Sequence, residues 1–333
     1  MTAQQEKTVR EKTLDELTVA VTGASGFIGG RIVELLTMRT TTPTRALVRG
    51  YGRVARLATW PQDRLEFHLA PLDDPERLRN ACTGADVLVH AAFGSSGDVE
   101  QRWQATVAGT KTVCEQAKAA GVRRVVHLST IDVYDARGLE MVDEQSPALP
   151  RDETDRESEQ QKLVAEELAL AANGADLEVI VVQPTVVYGP WAGSWTEKPL
   201  TRLPEENVLL PSGAGHGVCN AVYIDDVADA VLRAVATPDI GGQRFIISGQ
   251  PIDWGGFYDA FRAVLGLATT GEAGTAVSSL PDWERCLYFG TAVASTQLAG
   301  ELLGYSAQTS FQSGMSRVAD WAAWMGHAPG RTP

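Results

Sequence analysis

The sequence predicts an α/β chain: a Rossmann-type, doubly wound parallel sheet with a smaller C-terminal substrate lobe. Two observations carry this. Residues 17–30, LTVAVTGASGFIGG, form an apolar run that stops at Thr22, passes through Gly23, Gly26 and Gly29, and enters the helix-periodic Ile32, Val33, Leu35 and Leu36. Short apolar or β-branched runs then alternate with helical pattern, which implies parallel strands covered by helices on both faces.

In chain order, residues 1–16 are polar and charged and read as a flexible extension before the first strand. Strands are expected over 17–22, 45–48, 65–69, 87–90, 124–128, 177–183 and 244–248. Helices over 101–120 and 158–172 end at Gly121 and Asn173-Gly174, residues suited to helix C-caps. The dinucleotide-binding domain is drawn as 17–189. From Pro190 the texture turns rich in Trp, Pro, Gly and Ser, so 190–333 is assigned mainly to the substrate lobe, with 221–248 returning to the first domain. Further helices are expected around 254–265 and 310–324.

The glycine turn points to a ligand. Glycine lets the backbone turn tightly and approach a pyrophosphate, whose charge is met by free N–H groups at the helix start. Ser25, Phe27 and Ile28 belong to the same turn. Beyond the second strand stands Arg49, followed by Arg53 and Arg56, where a ribose 2′-OH would call for an acid and a 2′-phosphate for an arginine. NADP is therefore expected over NAD.

Composition narrows the remaining classes. Twenty-nine Lys and Arg against 42 Asp and Glu give a net charge of −13, which argues against nucleic acid or an anionic membrane as partner and for a small-molecule substrate. No apolar run approaches the roughly 18 residues of a membrane span, and the N-terminus lacks the apolar core of a signal peptide. Cys82, Cys114, Cys219 and Cys286 are scattered, and the five histidines show no ligand spacing, so reduced thiols, a cytoplasmic location and no metal site are expected. A homodimer is left open.

The series of motifs resembles the extended short-chain dehydrogenase/reductase family, the NAD-dependent epimerase/dehydratases, from about Leu17 to Trp324. Gly23, Gly26 and Gly29 match its cofactor turn, Asp73 in APLDD its adenine-side acid, and His90-Ala91-Ala92 its strand end beside the cofactor. LSTIDVYD places Thr130 at the catalytic hydroxyl, and Lys162 stands where the YxxxK lysine does. QPTVVYGP, containing Pro184, and VYIDDVADAV match later signatures.

The chain also departs from the pattern. Four residues before Lys162 stands Ser158 in place of the proton-transferring tyrosine, and no tyrosine lies between Tyr134 and Tyr188. Thr106 replaces the family's usual asparagine, and Asp135 its usual glycine. A carbonyl accepting hydride needs a positioned proton donor, and serine is far too weak an acid to replace a phenol. Thr130, Lys162, Ser158 and Tyr134 are therefore the candidate catalytic residues, with Tyr188 and Asp132 as other possible donors. Trp191 and Trp195 are candidate substrate walls, and simple lobe packing is the competing role for them. Together with Arg49, the resemblance implies an NADP(H)-dependent oxidoreductase with a non-standard proton donor, acting on a carbonyl or hydroxyl of a small molecule, either a secondary metabolite or a sugar-like compound. The alternatives are a non-redox epimerase, dehydratase or cyclase, and a cofactor-sensing protein without catalysis.

Overall fold

The computed structural model describes residues 12–151, 156–206, 210, 214–268 and 282–327. Seven parallel strands form the main sheet: β1 (Val19–Thr22), β2 (Thr44–Val48), β3 (Leu65–Leu69), β4 (Val87–His90), β5 (Arg124–Leu128), β6 (Glu178–Pro184) and β7 (Arg244–Ile247). Their spatial order is β3-β2-β1-β4-β5-β6-β7. The direction of strand progression therefore reverses between β1 and β4. Ligands of open parallel sheets bind beyond the strand ends at such a switch.

Eleven helices are described: α1 (Phe27–Arg39), α2 (Pro75–Cys82), α3 (Val99–Trp103), α4 (Gly109–Ala119), α5 (Glu157–Ala171), α6 (Lys198–Glu206), α7 (Ile224–Ala236), α8 (Trp254–Leu265), α9 (Asp282–Phe289), α10 (Gln297–Leu303) and α11 (Phe311–Trp324). Successive strand residues point to opposite faces. Val19, Val21, Ala46, Val48, Val126 and Ile180 therefore share one core with α1 and α7. Ala20, Leu47, Leu88, Val125 and Val179 share the other with α2 and α4. Both faces are thus covered, as the apolar runs required.

The predicted strands all form, and the helical pattern over 101–120 starts two residues earlier, at Val99. Asp98 caps it, accepting from Gln101 N at 2.8 Å while the Gln101 side chain returns to Asp98 N. A π turn over Gln104–Ala108 separates α3 from α4. The segment after Pro190, read as loops and small elements, holds a π turn at Gly193–Glu197 running into α6. Thr196 is buried and its hydroxyl accepts from Gly189 N at 3.0 Å, while Pro204 inside α6 disguised that helix in the sequence. Tyr188, Trp254, Phe257 and Phe311 interlock with ring centroids about 5.4 to 6.2 Å apart. Residues 1–11 of the expected N-terminal extension lie outside the described residues. The next five include a short 3-10 turn, and Lys12 pairs with Asp86 at 2.7 Å. Cys82, Cys114 and Cys219 are buried free thiols, and Cys286 is half-buried.

Candidate active site

A cleft of about 940 Å³ opens across the C-terminal strand ends. Its floor on one side is the β1–α1 turn, where Gly23 has φ +65° and a side chain would strike the Ala91 carbonyl and Ala92 amide at 2.6 to 2.7 Å. A side chain on Gly29 would collide with the Gly23 carbonyl. These are contacts that only glycine permits. Gly26 precedes α1 without a side-chain cap and the first helical turn holds no acid, so its N–H groups and positive dipole end remain available to an anion. A dinucleotide pyrophosphate fits this cradle. Every predicted cofactor residue, namely Gly23, Ser25, Gly26, Phe27, Ile28, Gly29, Arg49, Asp73, Ala91, Lys162 and Pro184, lines the cleft. Arg49 is exposed at the end of β2 and has no hydrogen-bond or ion-pair partner among the described residues. Arg56 is committed elsewhere, forked onto Glu34 at 2.6 and 2.8 Å.

The opposite end is built from β5 and α5. Thr130 follows β5, donates its hydroxyl to Asp132 Oδ2 at 2.8 Å and accepts from Asp132 N at 3.3 Å. Thr130, Asp132 and Lys162 all line the cleft. Burial pushes the Lys162 ammonium below its ordinary value, opposed by the charges of Asp132 and Glu159. Glu159 is held above the usual carboxylate range by burial and then by the charge of Asp132. The Lys162 Nζ rests 4.7 Å from the centre of the Phe93 ring.

Several sequence candidates lie elsewhere. Tyr134 does not line the cleft: it is buried, its hydroxyl donates to Gln183 Oε1 at 3.0 Å, and burial raises its pKa. Gln183 in turn donates to Glu166, which also holds Arg244, so the phenol belongs to a buried polar network behind the sheet edge. Tyr188 is likewise buried, donating to the Phe311 carbonyl at 3.4 Å. Ser158 is exposed on the first turn of α5 and is not among the lining residues. Trp195 lines the cleft whereas Trp191 does not. Trp191 has φ +72° and packs on Trp321 and Trp324 at 5.5 and 6.1 Å. Asp225 and Asp226 serve structure, Asp225 pairing with Arg31 and Arg317 and Asp226 accepting from Gln308 and Thr309 N–H groups.

Sequence reasoning missed Phe93, Leu72, Gln104 and Ser129 as lining residues. Ser129 carries the one signal that was readable, its place beside Thr130 in LSTIDVYD. Its buried hydroxyl has no partner among the described residues and faces a cleft able to satisfy it. Thr106, at the usual asparagine position, accepts from Gly94 N at 3.1 Å inside the π turn.

Beneath the cleft His90 ends β4, buried, with Nδ1 2.7 Å from the Thr22 hydroxyl and Nε2 3.0 Å from that of Thr110. Thr110 spends its own proton on the Thr106 carbonyl at 2.6 Å. His90 must therefore carry its proton on Nε2 and accept from Thr22 at Nδ1. Burial lowers its pKa to about 4, and that of buried His127 beside it falls too. The unfolded chain takes up these protons below its ordinary pKa of about 6.5. Stability from His90 is thus complete above that pH and is lost as pH falls toward 4, by about 3 kcal/mol in all. Thermal unfolding should show a lower Tm at pH 5 than at pH 7, and His90→Asn should shrink that difference; an undiminished difference would refute the assignment.

The model of the "NAD dependent epimerase/dehydratase family" matches residues 19–248. The chain belongs to that family. Its members resembling this chain include reductases, epimerases and dehydratases. A 4-hydroxy-2-methyl-3-oxo-4-farnesyl-3,4-dihydroquinoline-1-oxide ketoreductase of Stigmatella aurantiaca is 30% identical over 237 residues, 70% of this chain and 69% of that protein. A dTDP-glucose 4,6-dehydratase of Streptomyces niveus is 27% identical over 325 residues, covering 91% and 92%. The solved UDP-glucuronic acid 4-epimerase of Bacillus cereus, in complex with UDP-glucuronic acid and NAD, superposes with a TM-score of 0.78 at 20% identity, over 93% of this chain and 100% of that one. The superposition establishes the fold, and the family match establishes an enzyme family described as NAD dependent. Among the described residues no helix is long and apolar enough to cross a membrane, and no group of three or more His, Cys, Asp or Glu is gathered as for a metal.

Proposed function

We propose that this chain is an NADP(H)-dependent oxidoreductase acting on a carbonyl or hydroxyl group of a small molecule. The observation that carries the reading is the single cleft that joins the glycine cradle and Arg49 to Thr130, Asp132 and Lys162. The bound nicotinamide would supply or accept the hydride.

The chain's own residues handle the proton. No tyrosine lines the cleft among the described residues, but the Thr130 hydroxyl points its hydrogen at Asp132 and, with one lone pair meeting Asp132 N, leaves the other for a substrate hydroxyl. In the oxidation direction, the substrate O–H proton passes to Thr130 Oγ1 as the Thr130 proton passes to Asp132 Oδ2; reduction reverses both transfers. The Lys162 ammonium stabilises negative charge developing on the substrate oxygen. The ketoreductase relative supports redox chemistry, whereas the epimerase and dehydratase relatives support the non-redox alternative.

For the cofactor, residues 49–56 contain no Asp or Glu, and unpaired Arg49 is suited to a 2′-phosphate. Calorimetry should find NADPH bound about 10- to 150-fold more tightly than NADH, the range of a charge-assisted contact of roughly 1.5–3 kcal/mol, and Arg49→Ala should erase most of the difference. Equal affinities in the parent protein would refute the NADP reading. Consumption of NADPH, followed by absorbance with a carbonyl substrate, tests the reaction itself.

A further inference from the structure

The charges around the cleft are distributed unevenly along the sheet. Arg49 and Arg53 stand at the end of β2, on the cradle side. The reacting groups follow β5, three strands away across β1 and β4, or about 14 Å at usual strand spacing. On that far side Lys162 is the only lining Lys or Arg among the described residues, and Glu100 and Asp132 line it too. Arg102, on the same helix as Glu100, is forked onto Glu157 at 2.8 to 3.1 Å. The internal undescribed stretches 152–155, 207–209, 211–213 and 269–281 contain no Lys or Arg at all.

A nucleotide sugar brings a diphosphate that needs cations of its own beyond the one at the reacting atom. Among the described residues no other cation lines this half of the cleft; Arg156 donates to the Asp132 carbonyl at 3.2 Å but is not a lining residue. This half offers apolar surface instead: Phe93, 38% exposed, and Trp195, whose ring is backed by Trp254 at 5.4 Å and Phe257 at 6.4 Å. Val187 and Ala192 extend that surface. A rigid indole and an accessible phenyl ring, with acids and a single cation, suit a flat uncharged ligand.

We infer that the substrate is an uncharged aromatic ketone, or the matching secondary alcohol, and that nucleotide sugars are excluded. The inference rests on reading the cleft as the site of reaction, and binding tests it separately from turnover. With the full chain saturated with NADP, calorimetry should show acetonaphthone binding at least about tenfold more tightly than UDP-glucose, given one cation against two acids. Phe93→Ala, at an exposed position, and Trp195→Leu should each weaken acetonaphthone about 3- to 10-fold. Glu100→Arg should improve UDP-glucose binding. UDP-glucose binding as tightly as acetonaphthone, or acetonaphthone affinity indifferent to both aromatic variants, would overturn the inference. If acetonaphthone binds as stated and no NADPH is consumed, the substrate class stands and the redox reading falls.

Discussion

Asp132→Asn should leave NADPH binding unchanged and slow hydride transfer about 10²- to 10⁴-fold, the usual value of a positioned proton-transfer group. An amide keeps the carboxylate's shape and can still accept from Thr130, but it cannot take up the proton. Thr130→Ala should cost a similar factor, and the double variant little more, because the two residues act as one relay. The solvent isotope effect distinguishes a relay from a merely structural contact. Two protons move together through Thr130 and Asp132 in the proposed step, so turnover of the parent should slow in heavy water, and Asp132→Asn should alter that ratio. Full turnover with an unaltered ratio would remove Asp132 from the chemistry.

Ser158→Tyr should raise hydride transfer by about 10²-fold, the low end of the gain from a positioned acid. Positions 158 and 162 share a face of α5, so a phenol there can lie beside the Lys162 ammonium. The exposed setting of Ser158 holds a new ring loosely, which is why the low end is expected. The added donor should also relieve the dependence on Asp132, so the slow Asp132→Asn variant should be partly rescued. Loss of native activity with cofactor binding intact would favour the non-redox alternative. No change at all would place residue 158 outside the chemistry.

The strands and the cradle were legible because their signals are local. Val19 to Thr22 must be buried on both faces, and Gly23 must turn, whatever the rest of the chain does. Side-chain placement was less legible. Tyr134 and Thr130 sit in one motif, yet the backbone between them turns the phenol toward Gln183 and Glu166, partners supplied by β6 and α5. Trp191 and Trp195 read alike in sequence, but the left-handed backbone at 191 sends one ring to α11 while the other stays at the cleft. Phe93 gave no signal because its role depends on Lys162, distant in sequence and close only after folding.

The close approach of Gly23 to the Ala91–Ala92 backbone has a consequence for how such a chain can diverge. The glycine cradle is made of main chain pressed against main chain, so a side chain added at Gly23 or Gly29 meets an atom that cannot step aside. The end that holds Thr130 and Lys162 is made of side chains on a helix turn and a short loop, where an exposed position such as 158 accepts replacement without disturbing its neighbours. Tolerance of substitution is therefore asymmetric: the glycine cradle resists replacement, while the end proposed to handle the proton is open to revision one residue at a time.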